Sequence, residues 1–416
     1  MIPQFQKPNA TQAPERKRLL IVDDEPMLLE GLQGRMRRYR HLWLTHFVTS
    51  GQEALEEMAN NSYDMIIADV YMPGMDGIEL LSIIREKFPN VVRIAVSGTG
   101  KDNASLRAAP VAHQFLAKPF EIDQLVEIVD NTYLFVTMIE HVHFREALGR
   151  IGKLPPMPKI TSQLQDEISS SSVNAKRVAD IVKMDIALTT QILRLVNSPF
   201  FGFRRKILDI QQAVALLGYD FLRQLVLTFE IESTFKIASY PTIFSLERLQ
   251  QHSRLTAFIT KEIFKEYNRP EEAFAAGLLH DIGILISLSA MPQDYSNVVE
   301  YLKTTNKTLY EAEYDELGLC HAEFGGYLLG LWGVPIPLSL SVCYHHQPWN
   351  LPHDTFDLVD AVYLADAIAL EVAAAPFKGG LEAVPLDMNY LEHLGVKDRV
   401  AGWIEFAKNL LVNQGY

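Results

Sequence analysis

Cysteine is nearly missing: Cys320 and Cys343 are the only two in 416 residues, and they stand in no CxxC spacing. That usage excludes a disulfide framework and a thiolate metal site, and it fits a reducing compartment, the cytoplasm. No apolar stretch is read as long enough to span a membrane. The first fifteen residues, MIPQFQKPNATQAPE, lack the apolar block of a signal peptide and read as a flexible tail. Neither half of the chain is basic. Residues 1–140 hold 14 basic and 19 acidic side chains, a balance of −5, and the remainder 24 and 32, a balance of −8, which together give the net charge of −13. Such a chain lacks the Lys/Arg surface on which nucleic-acid affinity rests, and Arg204-Arg205-Lys206 reads as a solvated loop. What is present, 48% apolar and 21% charged residues over 416 positions, predicts two or three soluble domains with ample core.

The most informative stretch is residues 63–77, YDMIIADVYMPGMDG. Met65 to Ala68 is a continuous apolar run of the kind that forms a parallel strand covered on both faces, and it delivers Asp69 to a Pro/Gly loop. Ligands of such sheets sit beyond the carboxyl ends of the strands. Three further runs end in chemistry. Leu19 to Val22 leads into Asp23-Asp24-Glu25, Val91 to Val96 into Ser97-Gly98-Thr99, and Gln114 to Ala117 into Lys118-Pro119-Phe120. Clustered carboxylates repel unless a hard cation such as Mg²⁺ joins them. With a hydroxyl and a fixed ammonium added, the set is a site that receives a phosphoryl group on Asp69.

With those motifs, residues 16–137 resemble a response-regulator receiver domain of two-component signalling. The resemblance implies a doubly wound α/β fold with a parallel five-stranded sheet. It implies Asp69 as phosphoacceptor, Asp23 and Asp24 as the acid pocket, and Mg²⁺ held by Asp24, Asp69 and the Tyr71 backbone carbonyl. Lys118 would contact the phosphoryl oxygens, with Ser97 and Phe115 as the switch pair. A sensor histidine kinase or phosphotransfer protein is the implied partner.

Residues 122–150 read as one long helix, because Ile122, Leu125, Ile128, Thr132, Phe135, Ile139 and Val142 recur at three- and four-residue steps. Its start closes the receiver; residues 138–150 then form a connecting helix that either pairs with a second copy or braces the next domain. Leu154-Pro155-Pro156-Met157-Pro158 stops any helix and opens a second domain, residues 151–351. All that follows predicts an all-α bundle. Val173 to Val196 carries one apolar face, including Val178, Ile181, Val182, Ile186 and Leu188, and Ile210 to Phe229 is interrupted only at Leu217-Gly218. Residues 352–416 are expected to add helices at Leu358–Val372 and near Val400–Val412, as structural closure.

The chemistry of this second half lies in a histidine series: His252, His280-Asp281 within GLLHDIG, His321, His345-His346 and finally Asp366. Imidazoles and carboxylates drawn from several helices are how a bundle holds a divalent metal ion. Buried histidines are also common as hydrogen-bonded core residues. LPPMP, ILRLVNSPFFG, AVALLG, AAGLLHDIG and HAEFGGYLLGLWGVP, with the paired histidines, resemble the HDOD domain, a mostly non-catalytic relative of the HD phosphohydrolases. That resemblance implies a helical signalling scaffold with a protein partner downstream. The ligand order His, His-Asp, Asp resembles the active HD enzymes instead. However, His345-His346 runs into Gln347-Pro348-Trp349-Asn350 where cyclic-dinucleotide phosphodiesterases carry Gly-Tyr-Pro, and no Lys or Arg adjoins the His-Asp pair. On sequence alone a phosphorylation-switched adaptor therefore ranks first, and a receiver-regulated metal-dependent phosphohydrolase second.

Overall fold

The structure is a computed structural model that describes residues 16–89, 91–98, 111–118, 120–126, 128–129, 157–170, 173–197, 206–234, 241, 243–267, 270–351, 353–373 and 385–414. The chain divides into two compact units, residues 1–137, 151–185 and 331–333 in one, and residues 138–150, 186–330 and 334–416 in the other.

The first unit is built on five parallel strands, β1 (Lys17–Val22), β2 (Trp43–Val48), β3 (Met65–Asp69), β4 (Val92–Gly98) and β5 (Gln114–Lys118), in the order β2-β1-β3-β4-β5. Helices α1 (Pro26–Met36), α2 (Gly51–Asn60) and α3 (Gly77–Lys87) connect the first four. All five residues of β3 are buried, as expected for a central strand covered on both faces. Register brings the reactive ends level: Val22 pairs with Ala68, Asp69 with Val96, and Gly98 with Lys118. Gly77 is required where α3 starts, since a Cβ there would lie 2.0 Å from the Asp69 carbonyl oxygen. Asp76 caps that helix by accepting a hydrogen bond from the Glu79 N–H at 2.8 Å. Two further helices, α4 (Lys159–Ser169) and α5 (Ala175–Val182), belong to this unit, and α4 runs beside β5. Residues 122–126 and 128–129 are helical. The rest of the long helix expected over 122–150, including the connecting segment 138–150, lies outside the described residues, as does the tail 1–15.

The second unit is helical: α6 (Ile186–Val196), α7 (Ile210–Leu217), α8 (Tyr219–Thr234), α9 (Leu246–Ile263), α10 (Pro270–Leu279), α11 (Ile282–Ala290), α12 (Pro292–Thr304) and α13 (Leu309–Leu317), followed by α14 (His321–Leu331), α15 (Ile336–Tyr344), α16 (Leu358–Val372), α17 (Met388–His393) and α18 (Val400–Gln414). Helices α9, α10, α15 and α16 pack against one another and form its centre, and α18 covers α9 and α16. The C-terminal helices therefore belong to this core. Phe258 and Phe274 sit in it with ring centroids 5.2 Å apart.

Two sequence expectations need correction. The apolar face read as continuous over Val173–Val196 is divided into α5 and α6 by a turn at Lys183–Asp185. One stretch, Pro270–Ala290, is long and apolar enough to cross a membrane by length and composition. Its place explains that apolarity: 89% of its most apolar 18-residue window is buried inside the protein, and the His280-Asp281 turn divides the stretch into α10 and α11.

Gly283 begins α11 against the first turn of α14, where an added Cβ would lie 1.9 Å from the His321 carbonyl oxygen and 2.9 Å from the Gly325 nitrogen. Both obstacles are backbone, so relief requires the helices to separate. Gly283→Ala is expected to destabilise this unit by about 1–3 kcal/mol, toward the upper end. The measurement is chemical denaturation followed by far-UV circular dichroism, and an unchanged midpoint would refute the close helix contact.

Candidate functional site

In the first unit, the carboxyl ends of β1, β3 and β5 place Asp23, Asp69 and Lys118 together. The Lys118 ammonium donates to Asp23 Oδ2 and to Asp69 Oδ2, both at 2.6 Å. The remaining oxygens are also held: Asp69 Oδ1 accepts from the Tyr71 N–H at 3.2 Å, and Asp23 Oδ1 from the Glu25 N–H at 3.0 Å. Asp24 completes a group of three carboxylates whose oxygens lie within 4.8 Å of one another. Burial by itself would lower the Lys118 pKa, but hydrogen bonds and charge from Asp23 and Asp69 outweigh it and hold the group above its ordinary value. Three carboxylates against one ammonium leave an excess of negative charge, so the donor set fits a hard dication with oxygen ligands. The side chains of the expected switch pair, Ser97 and Phe115, lie outside the described residues.

In the second unit, the structure brings together all seven members of the histidine series. His252 comes from α9, His280 and Asp281 from the turn between α10 and α11, and His321 from the start of α14. His345 and His346 follow α15, and Asp366 projects from the middle of α16. Asp281 is the hub. Its Oδ2 lies 3.2 Å from His280 Nε2 and 3.5 Å from His252 Nε2, while Oδ1 lies 3.2 Å from His321 Nε2 and 3.8 Å from His345 Nε2. Asp366 Oδ1 is 3.0 Å from His252 Nε2 and 3.6 Å from His280 Nε2, and its Oδ2 is 3.9 Å from His346 Nδ1. Asp281 occupies an N-cap position yet makes no side-chain cap bond, so its carboxylate is left to the imidazoles.

The ring orientations are set from behind. His280 Nδ1–H donates to the Gly277 carbonyl at 2.7 Å and His345 Nδ1–H to the Val342 carbonyl at 2.8 Å. His321 Nδ1–H donates to Glu313 Oε2 at 2.6 Å, while Tyr295 O–H donates to Glu313 Oε1 at 2.6 Å. These anchors turn each Nε2 inward, the tautomer and orientation that metal-binding histidines require. Three overlapping sets, His252/His280/Asp281, His280/His345/Asp366 and His321/His345/His346, have ligand atoms within 4.8 Å of one another. His345 Nε2 is buried without a hydrogen-bond partner among the described residues. An orphaned inward nitrogen among imidazole and carboxylate donors fits divalent transition-metal ions.

The charges balance locally. Burial alone would lower the His280 pKa, yet Asp281 and Asp366 push it up to about 10, and Glu313 and Asp281 do the same for His321. Burial together with the neighbouring His280 takes His345 down to about 4. Although their burial acts in the opposite direction, Asp281 and Asp366 are held well below the usual carboxylate range by these imidazoles.

Sequence reading missed Glu313 and Tyr295, which belong to no motif. The available signal was an acid on the apolar side of α13, where Leu309, Ala312, Glu313 and Leu317 are all buried. Cys320 and Cys343 are buried free thiols beside this centre in sequence.

Comparison with known proteins divides the chain by family, and the second match takes in residues 154–185, which belong to the first compact unit. The response regulator receiver domain model matches residues 19–130 and the HDOD domain model residues 154–348. An uncharacterised protein of Treponema pallidum is 27% identical over 207 residues, 49% of this chain and 39% of its own length. The response regulator protein FleR of Pseudomonas aeruginosa is 32% identical over 113 residues, 27% of this chain and 24% of its own length. The chain thus spans well under half the length of either relative. A crystal structure of an HDOD domain protein of unknown function from Geobacter sulfurreducens matches with a TM-score of 0.51 and 27% identity, covering 65% of this chain and 92% of that one. Asp366 lies beyond the HDOD match, so the centre draws one ligand from the C-terminal helices. With a receiver over residues 19–130 and an HDOD domain over residues 154–348, the chain is a response regulator with an HD-related output domain.

Proposed function

We propose that a sensor histidine kinase or phosphotransfer protein charges Asp69, and that the helical domain so regulated carries a divalent-metal centre that hydrolyses a phosphoester in the cytoplasm. For the receiver, the support is Lys118 bridging Asp23 and Asp69. An Asp69 oxygen attacks phosphorus, the bond from phosphorus to the donor's leaving group breaks, and an acyl phosphate forms on Asp69. Lys118 neutralises one phosphoryl oxygen. Mg²⁺ bound by Asp23, Asp24, Asp69 and the Tyr71 carbonyl would supply the remaining positive charge.

For the output, the observation that carries the reading is the convergence of His252, His280, Asp281, His321, His345, His346 and Asp366, with the Nδ1 atoms of His280, His321 and His345 anchored from behind. Core histidines kept for packing do not need three inward Nε2 atoms around one carboxylate. This reverses the order assigned from sequence and places the hydrolase ahead of the adaptor. Bound ions would supply Lewis-acid charge and acidify water, which answers the lack of a cationic side chain next to His280-Asp281. Water adds to phosphorus, the ester P–O bond breaks, and the alcohol leaves with one of water's protons.

Metal analysis of protein purified without added metal, followed by assay of bis(p-nitrophenyl) phosphate, tests it. Expected are at least one transition-metal ion per chain and turnover that a chelator removes and Mn²⁺ restores. A metal-free protein that neither binds Mn²⁺ in excess Mg²⁺ nor turns over any phosphoester would return the adaptor to first place.

A further inference from the structure

We propose that Trp349, Tyr363 and Tyr390 form a stacking platform for the base of a nucleotide whose phosphate is held at the adjoining His/Asp centre, an inference that rests on the metal-centre reading above. Trp349 is 48% exposed, although it belongs to a close aromatic group. Its ring centroid is 6.0 Å from that of Tyr363 and 5.7 Å from that of Tyr390, both at 81°. Neither tyrosine lies flat against the indole. The Trp349 N–H has no hydrogen-bond partner among the described residues, which leaves a donor beside the ring.

The supporting rings are fixed. Tyr390 O–H donates to the buried Asp360 Oδ1 at 2.6 Å, and Tyr363 Oη accepts from the Asp387 N–H at 3.0 Å. His353 Nε2 lies 3.0 Å from Asp360 Oδ2 and closes the network. A half-exposed tryptophan on two immobilised tyrosines presents a rigid apolar ring with little ordering left to do, the form that aromatic recognition sites take.

Chain geometry roots this platform in the centre. Trp349 follows the ligand His346 by three residues through the short turn Pro348–Asn350. Tyr363 precedes the ligand Asp366 by one turn of α16, so their side chains are neighbours on one helix face. His346, with 19% of its side chain accessible, is the most open of the seven ligands, so the centre opens on the side from which the Trp349 turn departs. A flat apolar surface beside a phosphate-binding pole matches the two ends of a nucleotide. The two supports, Tyr363 and Tyr390, come from helices beyond the HDOD match, and Trp349 from the turn at its end.

The test is equilibrium binding to the full chain, loaded with Mn²⁺ in excess Mg²⁺, with GMP and ribose 5-phosphate as probes that differ only by the base. The wild-type protein should bind GMP at least about tenfold more tightly, and Trp349→Ala should reduce the GMP to ribose 5-phosphate affinity ratio by about 5- to 150-fold, the range for loss of one base–aromatic stack. Trp349→Phe should keep most of the ratio, which separates stacking from a disturbed fold. A wild-type ratio near one, or a ratio unmoved in Trp349→Ala while Mn²⁺ still binds, overturns the platform alone. Failure of Mn²⁺ to bind overturns the centre, and the platform with it.

Discussion

Asp69→Asn is expected to abolish uptake of phosphoryl groups from acetyl phosphate while the protein stays folded. Asp69 meets Lys118 as the last residue of the central strand β3, and an amide oxygen is too poor a nucleophile to form the acyl phosphate. The structural consequence is small. Lys118 keeps its 2.6 Å hydrogen bond to Asp23, and an asparagine Oδ1 can still accept from the Tyr71 N–H, so the loss of stability should be near that of one weakened charged hydrogen bond, about 1–2 kcal/mol. Phosphate-affinity electrophoresis with acid and base lability as controls reads the result. Acid-labile phosphate persisting in Asp69→Asn at the wild-type level would mean that another group accepts it. Weaker Mg²⁺ binding in Asp24→Ala serves as a companion check, since Asp24 belongs to the carboxylate group yet does not bond Lys118.

Much of the receiver was legible because each reactive residue follows directly on a short apolar run, and a two-sided buried strand has to be such a run. Strand β2 was not placed, for the opposite reason. It is the edge strand, only Trp43 and Val48 are buried in it, and Leu44 is 42% exposed, so WLTHFV shows neither a continuous run nor a clean alternation. The turn between α5 and α6 was hidden by apolar residues that are not in the core. Met184 and Ile186 are 62% and 82% exposed, yet in sequence they extend the helical spacing across the break, and no Pro or Gly marks it.

The helical centre was legible as residues and illegible as a place. Every one of the seven ligands could be named from the series His252 to Asp366, but they arrive from α9, the α10–α11 turn, α14, the end of α15 and α16, and only the packing of those helices decides whether they meet. Glu313 illustrates a further limit: a buried acid in a helix reads as an error of periodicity until the His321 imidazole and Tyr295 hydroxyl that need it are in view. Similarly, nothing in Gln347-Pro348-Trp349-Asn350 announces a platform, because its supports Tyr363 and Tyr390 come from 14 and 41 residues further on.

Asp281→Asn should empty the helical centre of transition metal and abolish phosphoester turnover, with Asp69 phosphorylation as an unaffected internal control in the other unit. The choice of residue follows from geometry: Asp281 reaches four imidazoles through its two oxygens, more than any other member, and it belongs to the set with His252 and His280. Asparagine keeps the volume and one oxygen, so the fold should persist, but it replaces a charged donor by a neutral amide that ligates divalent ions weakly. Removing the charge also leaves His280 and His321 short of a counter-ion. Because imidazoles can shed their protons where a buried lysine or arginine pairs less easily, the cost should stay near about 1–3 kcal/mol, below the 3–5 kcal/mol typical of breaking a buried ion pair outright. Elemental analysis of the purified variant against wild type, alongside a thermal melt of each with and without Mn²⁺, separates the two effects. Wild type should gain several degrees on Mn²⁺ addition and Asp281→Asn none, since an ion stabilises only a fold that binds it. A full metal complement in Asp281→Asn would show that the ions lie elsewhere, and equal melts with and without Mn²⁺ in both proteins would leave the histidines as packing and the output as an adaptor.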